Sequence, residues 1–197
     1  MKQENARLFE EFDDSPGAHG SEGLSGELRV RPATIGDIDA VGRISAEREG
    51  GVVREHIEGF RRELEVGRTL QTAMVFVAEL DGQVIGYGRT GYLDKEHGGA
   101  AGKSPVGWYL TGLVVDPRFR RHGVGARLTA NRLAWISERS GLAYYFANAR
   151  NRVSIALHER FGFTETARGP ELCGQSFLGG EGILFEVDLA QSAWRAA

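Results

Sequence analysis

Apolar and polar residues alternate from Leu28 to Arg31 and stop at Pro32, which predicts a short strand. Thr34 can cap a helix running to about Glu49 with Ile35, Ile38, Val41 and Ile44 on one face, broken by Gly50-Gly51. A second helical period over Val53 to Val66 brings Ile57, Phe60 and Leu64 together. Met74 to Leu80 reads as a strand, Asp81-Gly82 as a hairpin turn, and Val84 to Tyr92 as the antiparallel partner. After an irregular loop over residues 93–105, Val106 to Val115 is the next strand. A helix from Gly123 to about Ser140 puts Val124, Leu128 and Trp135 on one face, and Gly141 closes it. Leu142 to Ala147 is a strand, Val153 to Phe161 a short helix ended by Gly162, and Ile183 to Leu189 a final strand. Thr164 to Gly182 is poorly patterned and reads as a loop with room for a strand near its start. This order predicts a mixed α/β (α+β) fold, one central sheet flanked by helices, in a single domain over residues 28–197.

Residues 1–27 combine Glu10, Glu11, Asp13 and Asp14 with glycines and a proline and show little periodicity after Phe12, so they read as an acidic flexible tail. A short helix over residues 2–12, docking Leu8, Phe9 and Phe12 on a neighbour, is the other reading. The chain has 197 residues and a net charge of −3, which argues against a nucleic-acid partner held by phosphate neutralisation. Cys173 is the single cysteine, so no intrachain disulfide and no cysteine-based zinc site is expected, and no metal is assigned. No apolar run approaches the ~20 residues of a membrane span and no signal-peptide pattern stands at the N-terminus. A cytoplasmic protein without a membrane partner is expected.

The segment Gly112-Leu-Val-Val-Asp-Pro-Arg-Phe-Arg-Arg-His-Gly-Val-Gly125 carries the most chemistry. An apolar strand (Leu113, Val114, Val115) ends at Asp116-Pro117 and leads through Arg118, Arg120 and Arg121 into a helix opened by Gly123 and Gly125. A helix start leaves backbone N–H groups without intrahelical acceptors and carries partial positive charge, and glycines let an anion approach it. The pattern suits a pyrophosphate. It is neither a Walker loop nor the dinucleotide fingerprint, lacking Gly-Lys-Ser/Thr and a third glycine. A plain strand-turn-helix connection would leave the same arginines as a solvated loop.

A second segment, Asn151-Arg-Val-Ser154-Ile-Ala-Leu-His158-Glu-Arg-Phe-Gly162-Phe163, completes the pattern. Together the two resemble the coenzyme A-binding core of the GNAT superfamily of N-acetyltransferases, over roughly residues 28–189 and most specifically 108–163. Arg120-x-x-Gly123-x-Gly125 resembles that family's Arg/Gln-x-x-Gly-x-Gly/Ala motif. The second segment resembles its Asn-x-x-(Ser/Ala)-x-x-x-Tyr-x-x-x-Gly-Phe motif, with His158 where tyrosine is usual. The resemblance implies a mostly antiparallel GNAT-like sheet whose strands before and after the Gly123 helix splay apart to admit the cofactor's pantetheine arm. It implies acetyl-CoA as co-substrate and transfer to a primary amine by direct attack through a tetrahedral intermediate. The cofactor would be held by Leu113, Val114 and Val115, by Arg120, Arg121, His122, Gly123, Val124, Gly125 and Ala126, and by Asn151 and Ser154. Gly112 can mark a bulge that aims the strand's amides.

His158, Tyr109 and Thr111 lead the candidates for proton transfer. His158 stands where the family's tyrosine protonates the leaving sulfur, and an imidazole titrating near 6.5 when unperturbed can do so too; a helix-surface histidine beside Glu159 is the alternative. No carboxylate occurs in Trp108-Tyr109-Leu110-Thr111, where family members often carry the base, so Tyr109 and Thr111 are candidates to orient a water. Glu79, Glu165, Glu171 and Glu181 are further candidates for the base. Asn151 equally suits an ordinary helix N-cap, and Asn148 is a weaker candidate. The acceptor is expected among Glu47, Glu49, Glu55, Glu96, Glu171 and Glu181 with Phe177, Trp108 and Tyr109 nearby, which suits a small cationic amine; a peptide or protein amine is second. A non-catalytic acyl-CoA sensor, or a phosphometabolite binder unrelated to coenzyme A, are readings of other classes. Trp194 and the final strand can form a homodimer contact.

Overall fold

Pro32 can end a strand only where its missing N–H is not needed, and it does so at a sheet edge. In this computed structural model, which describes residues 24–94, 104–177, 179–190 and 194, β1 (Leu28–Pro32) is the outermost strand. It runs antiparallel to β2 (Ala73–Leu80), Leu28 opposite Leu80 and Pro32 opposite Phe76. The Asp81-Gly82 turn joins β2 to β3 (Gln83–Leu93), again antiparallel. β4 (Gly107–Val115) follows in the sheet, then β5 (Leu142–Asn148), β9 (Gly182–Asp188) and β6 (Thr164–Gly169), giving the order β1-β2-β3-β4-β5-β9-β6. The sheet is mostly antiparallel, as expected. β4 and β5 pair in parallel, with Tyr109 opposite Tyr144 and Leu110 opposite Tyr145.

Four helices flank it: α1 (Ile38–Glu49), α2 (Val53–Leu70), α3 (Val124–Ser137) and α4 (Arg152–Glu159). The first departs from expectation at its start. Ile35 to Asp37 form a tight 3-10 turn, closed by the Thr34 amide and hydroxyl donating to the Asp37 carboxylate at 2.7 and 2.8 Å. The tighter turn rotates Ile35 away from the apolar face, and it is 52% exposed. α2 runs four residues past the predicted end, through Gly67 to Leu70. The Thr164 to Gly182 stretch holds β6 and a small hairpin, β7 (Glu171–Leu172) with β8 (Gln175–Ser176). Residues 1–23 of the expected acidic tail, with the alternative short helix over residues 2–12, and most of the 93–105 loop lie outside the described residues.

The described residues fall into two compact units, one of residues 24–91 with 111–132, the other of residues 92–110 with 133–194. In the first, Ile38, Val41 and Ile44 of α1 and Phe60 and Leu64 of α2 bury against Val75, Val77, Tyr87 and Val114 of the strands. In the second, Tyr109, Tyr144 and Leu184 close around Leu172, Cys173 and Phe177. Trp194 is 6% exposed, and its indole N–H donates to the Leu189 carbonyl at 3.0 Å. Among the described residues no helix is long and apolar enough to cross a membrane.

Candidate functional site

In the first unit the loop between β4 and α3 is built around a carboxylate. Asp116 accepts from the Arg118 amide at 3.0 Å and from its guanidinium at 2.6 Å; these hydrogen bonds hold its carboxyl below the usual range although burial opposes them. Arg118 is thereby tied back to the loop. Arg120 likewise donates from Nε to the Val115 carbonyl at 3.1 Å, clamping the end of β4. Arg121 takes the left-handed conformation with φ 67°, and Gly123 follows at φ 78°. A Cβ on Gly123 would meet nothing within 4 Å, so its glycine answers backbone conformation and open approach rather than packing. The first helical bond of α3 runs from the Arg127 amide to the Gly123 carbonyl at 3.0 Å. The amides of Gly123, Val124, Gly125 and Ala126 therefore precede the helical ladder, and no acidic side chain stands in that turn. This end of a 14-residue helix can take an anion.

The strand leading into the loop is interrupted. Gly112 has φ 40° inside β4, and a Cβ there would stand 3.2 Å from Cδ of Arg89. Beyond it Val114 is buried with α1 and α2, while Leu113 and Val115 are half-buried. Arg89 is held by Glu63 of α2, with Nε and a terminal nitrogen each 3.0 Å from a carboxylate oxygen. Glu49, at the end of α1, is half-buried, and burial pushes its carboxyl up against the opposing charges of His56 and Arg89.

In the second unit, Asn151 caps α4, its side-chain oxygen accepting from the Ser154 amide at 3.2 Å. Ser154 is a junction: its hydroxyl accepts from Tyr145 at 2.6 Å and its carbonyl lies 2.8 Å from Nδ1 of His158. A carbonyl only accepts, so Nδ1 carries a proton. His158 is 2% exposed, and its ring stacks on Tyr145 and meets Phe163 edge-on. It is thus a core residue of α4 rather than a solvated one beside Glu159. Asn148, 2% exposed, accepts from the Arg150 amide at 2.9 Å.

Other candidates from the sequence are deeply packed. Tyr109 is fully buried, its hydroxyl donates to the Pro105 carbonyl at 2.7 Å, and burial pushes its phenol up. Trp108 is buried between Tyr92 and Trp135, and Phe177 lies in the second unit's core. Glu79 pairs with Arg31 at 2.6 Å, and Glu165 and Glu181 both pair with Arg168. Glu47, Glu55 and Glu171 are exposed, and Glu96 lies outside the described residues. Among the described residues no group of three or more His, Cys, Asp or Glu could hold a metal. Sequence reasoning overlooked Tyr145, Thr129 and Arg132. Arg132 carried a signal: a charged residue in helical register with the fully buried Leu128 and Ile136.

Residues 45–163 match the acetyltransferase (GNAT) family. Among solved structures, the chain is similar to a ribosomal-protein-alanine N-acetyltransferase from Brucella melitensis, at 25% identity and a TM-score of 0.63, over 82% of this chain and 99% of that one. It shares its fold with an N-acetyltransferase from Staphylococcus aureus Mu50, at 18% identity and a TM-score of 0.64, over 83% and 99%. It does so too with yncA of Salmonella typhimurium, solved with its cofactor acetyl-CoA, at 19% identity and a TM-score of 0.60, over 84% and 96%. No curated protein sequence matches the chain.

Proposed function

Because the chain belongs to the GNAT family of acetyltransferases, we propose that it moves the acetyl group of acetyl-CoA onto a primary amine, first of all that of a small cationic molecule. The observation that carries this is the start of α3: four amides ahead of the helical ladder, an open glycine at φ 78° and no competing acid in the turn. Acetyl-CoA, when bound, supplies an activated thioester. The amides from Arg120 to Ala126 hold the pyrophosphate, with Arg120 and Arg121 adding charge. The backbone of Leu113, Val114 and Val115 pairs with the pantetheine amides, and one of its N–H groups faces the developing oxyanion. As the amine nitrogen replaces sulfur on the acetyl carbon, His158 would give a proton from Nε2 to the departing coenzyme A thiolate, while the Ser154 carbonyl fixes its tautomer through Nδ1. Asn151 and Ser154 orient α4 and its histidine. Thr111 orients the water that takes the amine's proton; Tyr109 already donates to Pro105 and serves as support. Glu49, half-buried at the end of α1, is the carboxylate offered to a cationic acceptor, Glu63 being paired with Arg89.

A second reading has a specific observation behind it. The 25% identity to a ribosomal-protein-alanine N-acetyltransferase favours a peptide N-terminus as acceptor. Thiol release from acetyl-CoA, followed while aminoglycosides, polyamines, amino acids and alanine-starting peptides are offered, separates the two by naming the class that turns over. Acetyl-CoA binding with no turnover across the panel would instead support a sensor.

A further inference from the structure

Arg132 is 1% exposed, in the third turn of α3, and in register with the fully buried Leu128 and Ile136. An apolar side chain would satisfy the packing there, and a buried guanidinium is costly to desolvate. Its hydrogen bonds show what it does instead. One terminal nitrogen donates to two backbone carbonyls, those of Arg89 in β3 at 3.3 Å and Thr111 in β4 at 3.4 Å. The other donates to the Thr129 hydroxyl at 3.0 Å, and Nε donates to the Leu128 carbonyl at 3.3 Å. Thr129 in turn donates to the Gly125 carbonyl at 2.9 Å. A continuous path of hydrogen bonds therefore runs from Gly125, in the first turn of α3, to Thr111, the residue before the Gly112 interruption. Room for it is reserved on β3, since a Cβ on Gly88 would stand 2.9 Å from Nε of Arg132. An interrupted strand turns carbonyls away from regular pairing, and a buried carbonyl left without a donor is costly. Arg132 supplies a donor to the Thr111 carbonyl beside it.

We propose that Thr129 and Arg132 are positioning residues, a brace that fixes the start of α3 against β4 at Thr111–Gly112. Resting on the acetyl-CoA reading, the brace sets the span between the amides of residues 123–126 and the strand backbone of residues 113–115, so that pyrophosphate and thioester are held in one register. Neither residue touches the cofactor or the reacting atoms.

The test uses the full chain with Thr129→Val, Thr129→Ser and Arg132→Lys. Thr129→Val removes both hydroxyl bonds at nearly constant volume, Thr129→Ser keeps them, and Arg132→Lys keeps the charge but cannot span the same acceptors. In hydrogen exchange without ligand, Thr129→Val and Arg132→Lys should speed the amides of residues 111–115 about 10-fold while β2 is unchanged. In acetyl transfer the same two variants should lower kcat about 10- to 100-fold with KM for acetyl-CoA within about threefold, and Thr129→Ser should restore kcat to within about threefold. Unchanged exchange at residues 111–115 overturns the brace. Faster exchange with kcat preserved overturns its positioning role. Faster exchange in a protein whose wild type transfers no acetyl group supports the brace and removes the acetyl-transfer reading, so the two fail separately.

Discussion

The imidazole of His158 lies flat on the ring of Tyr145, centroids 3.7 Å apart and planes 7° from parallel, and both rings are tied to Ser154. The Tyr145 hydroxyl reaches the Ser154 side chain at 2.6 Å, and His158 Nδ1 reaches its carbonyl at 2.8 Å. With Nδ1 committed to the Ser154 carbonyl, proton exchange falls to Nε2. His158→Phe keeps an aromatic ring for the stack and removes the acid. Its kcat should fall by about 10²-fold or more, with acetyl-CoA affinity kept within about threefold. Steady-state kinetics beside calorimetric binding checks this, and an unchanged kcat removes His158 from the role of acid.

Gly123→Ala places a side chain at φ 78°, where an L residue costs about 1–2 kcal/mol of backbone strain. Because no atom lies within 4 Å of the new Cβ, the fold should accept it with a small drop in Tm. The methyl group would stand where the pyrophosphate approaches, so KM for acetyl-CoA should rise about 10-fold or more at little cost in kcat. A change in kcat alone would place the anion elsewhere.

Asp37 sets an acid limit on stability. Hydrogen bonds from Arg31, against the opposing effect of burial and with further help from Thr34, hold its carboxyl at about 2, below the ordinary 3.8. A carboxyl whose folded pKa is depressed stabilises above its unfolded value and loses that contribution as pH falls through the folded one. With a side chain 9% exposed, the contribution is about 2 kcal/mol at neutral pH, fading between about pH 4 and 2. Asp37→Asn should lower the urea midpoint at pH 7 and flatten its dependence on pH in that window. Parallel acid dependences in the two proteins would refute the assignment.

Much of this was legible in the order of residues. The Asp81-Gly82 turn, the alternation of β2 and β3 and the Gly123-x-Gly125 opening of α3 are local signals, and each element formed within a residue or a few of its expected bounds. What was not legible depends on partners far along the chain. The β7–β8 hairpin has two-residue strands with no period to read, and it forms where Leu172, Cys173 and Phe177 bury together. Trp108, Tyr109 and Phe177 read as an acceptor surface because aromatics suit cations, yet they fill cores, as large aromatics more often do. Asn151 forms the N-cap that its spacing to Ser154 already allowed.

Tyr109 gives a prediction from that packing. With its hydroxyl donated to Pro105 at 2.7 Å, Tyr109→Phe should cost about 1 kcal/mol of stability and leave kcat within about threefold. A drop of 10² in kcat would return the phenol to the proton path.

The central claim is a stoichiometric transfer, so the most direct measurement is mass spectrometry of the acceptor together with the thiol released from acetyl-CoA. With a cationic small amine or an alanine-starting peptide, acetylated product and free coenzyme A should appear in equal amounts, and only when the amine is present. Thiol release that is the same with and without amine, or no binding of acetyl-CoA at all, would contradict the account.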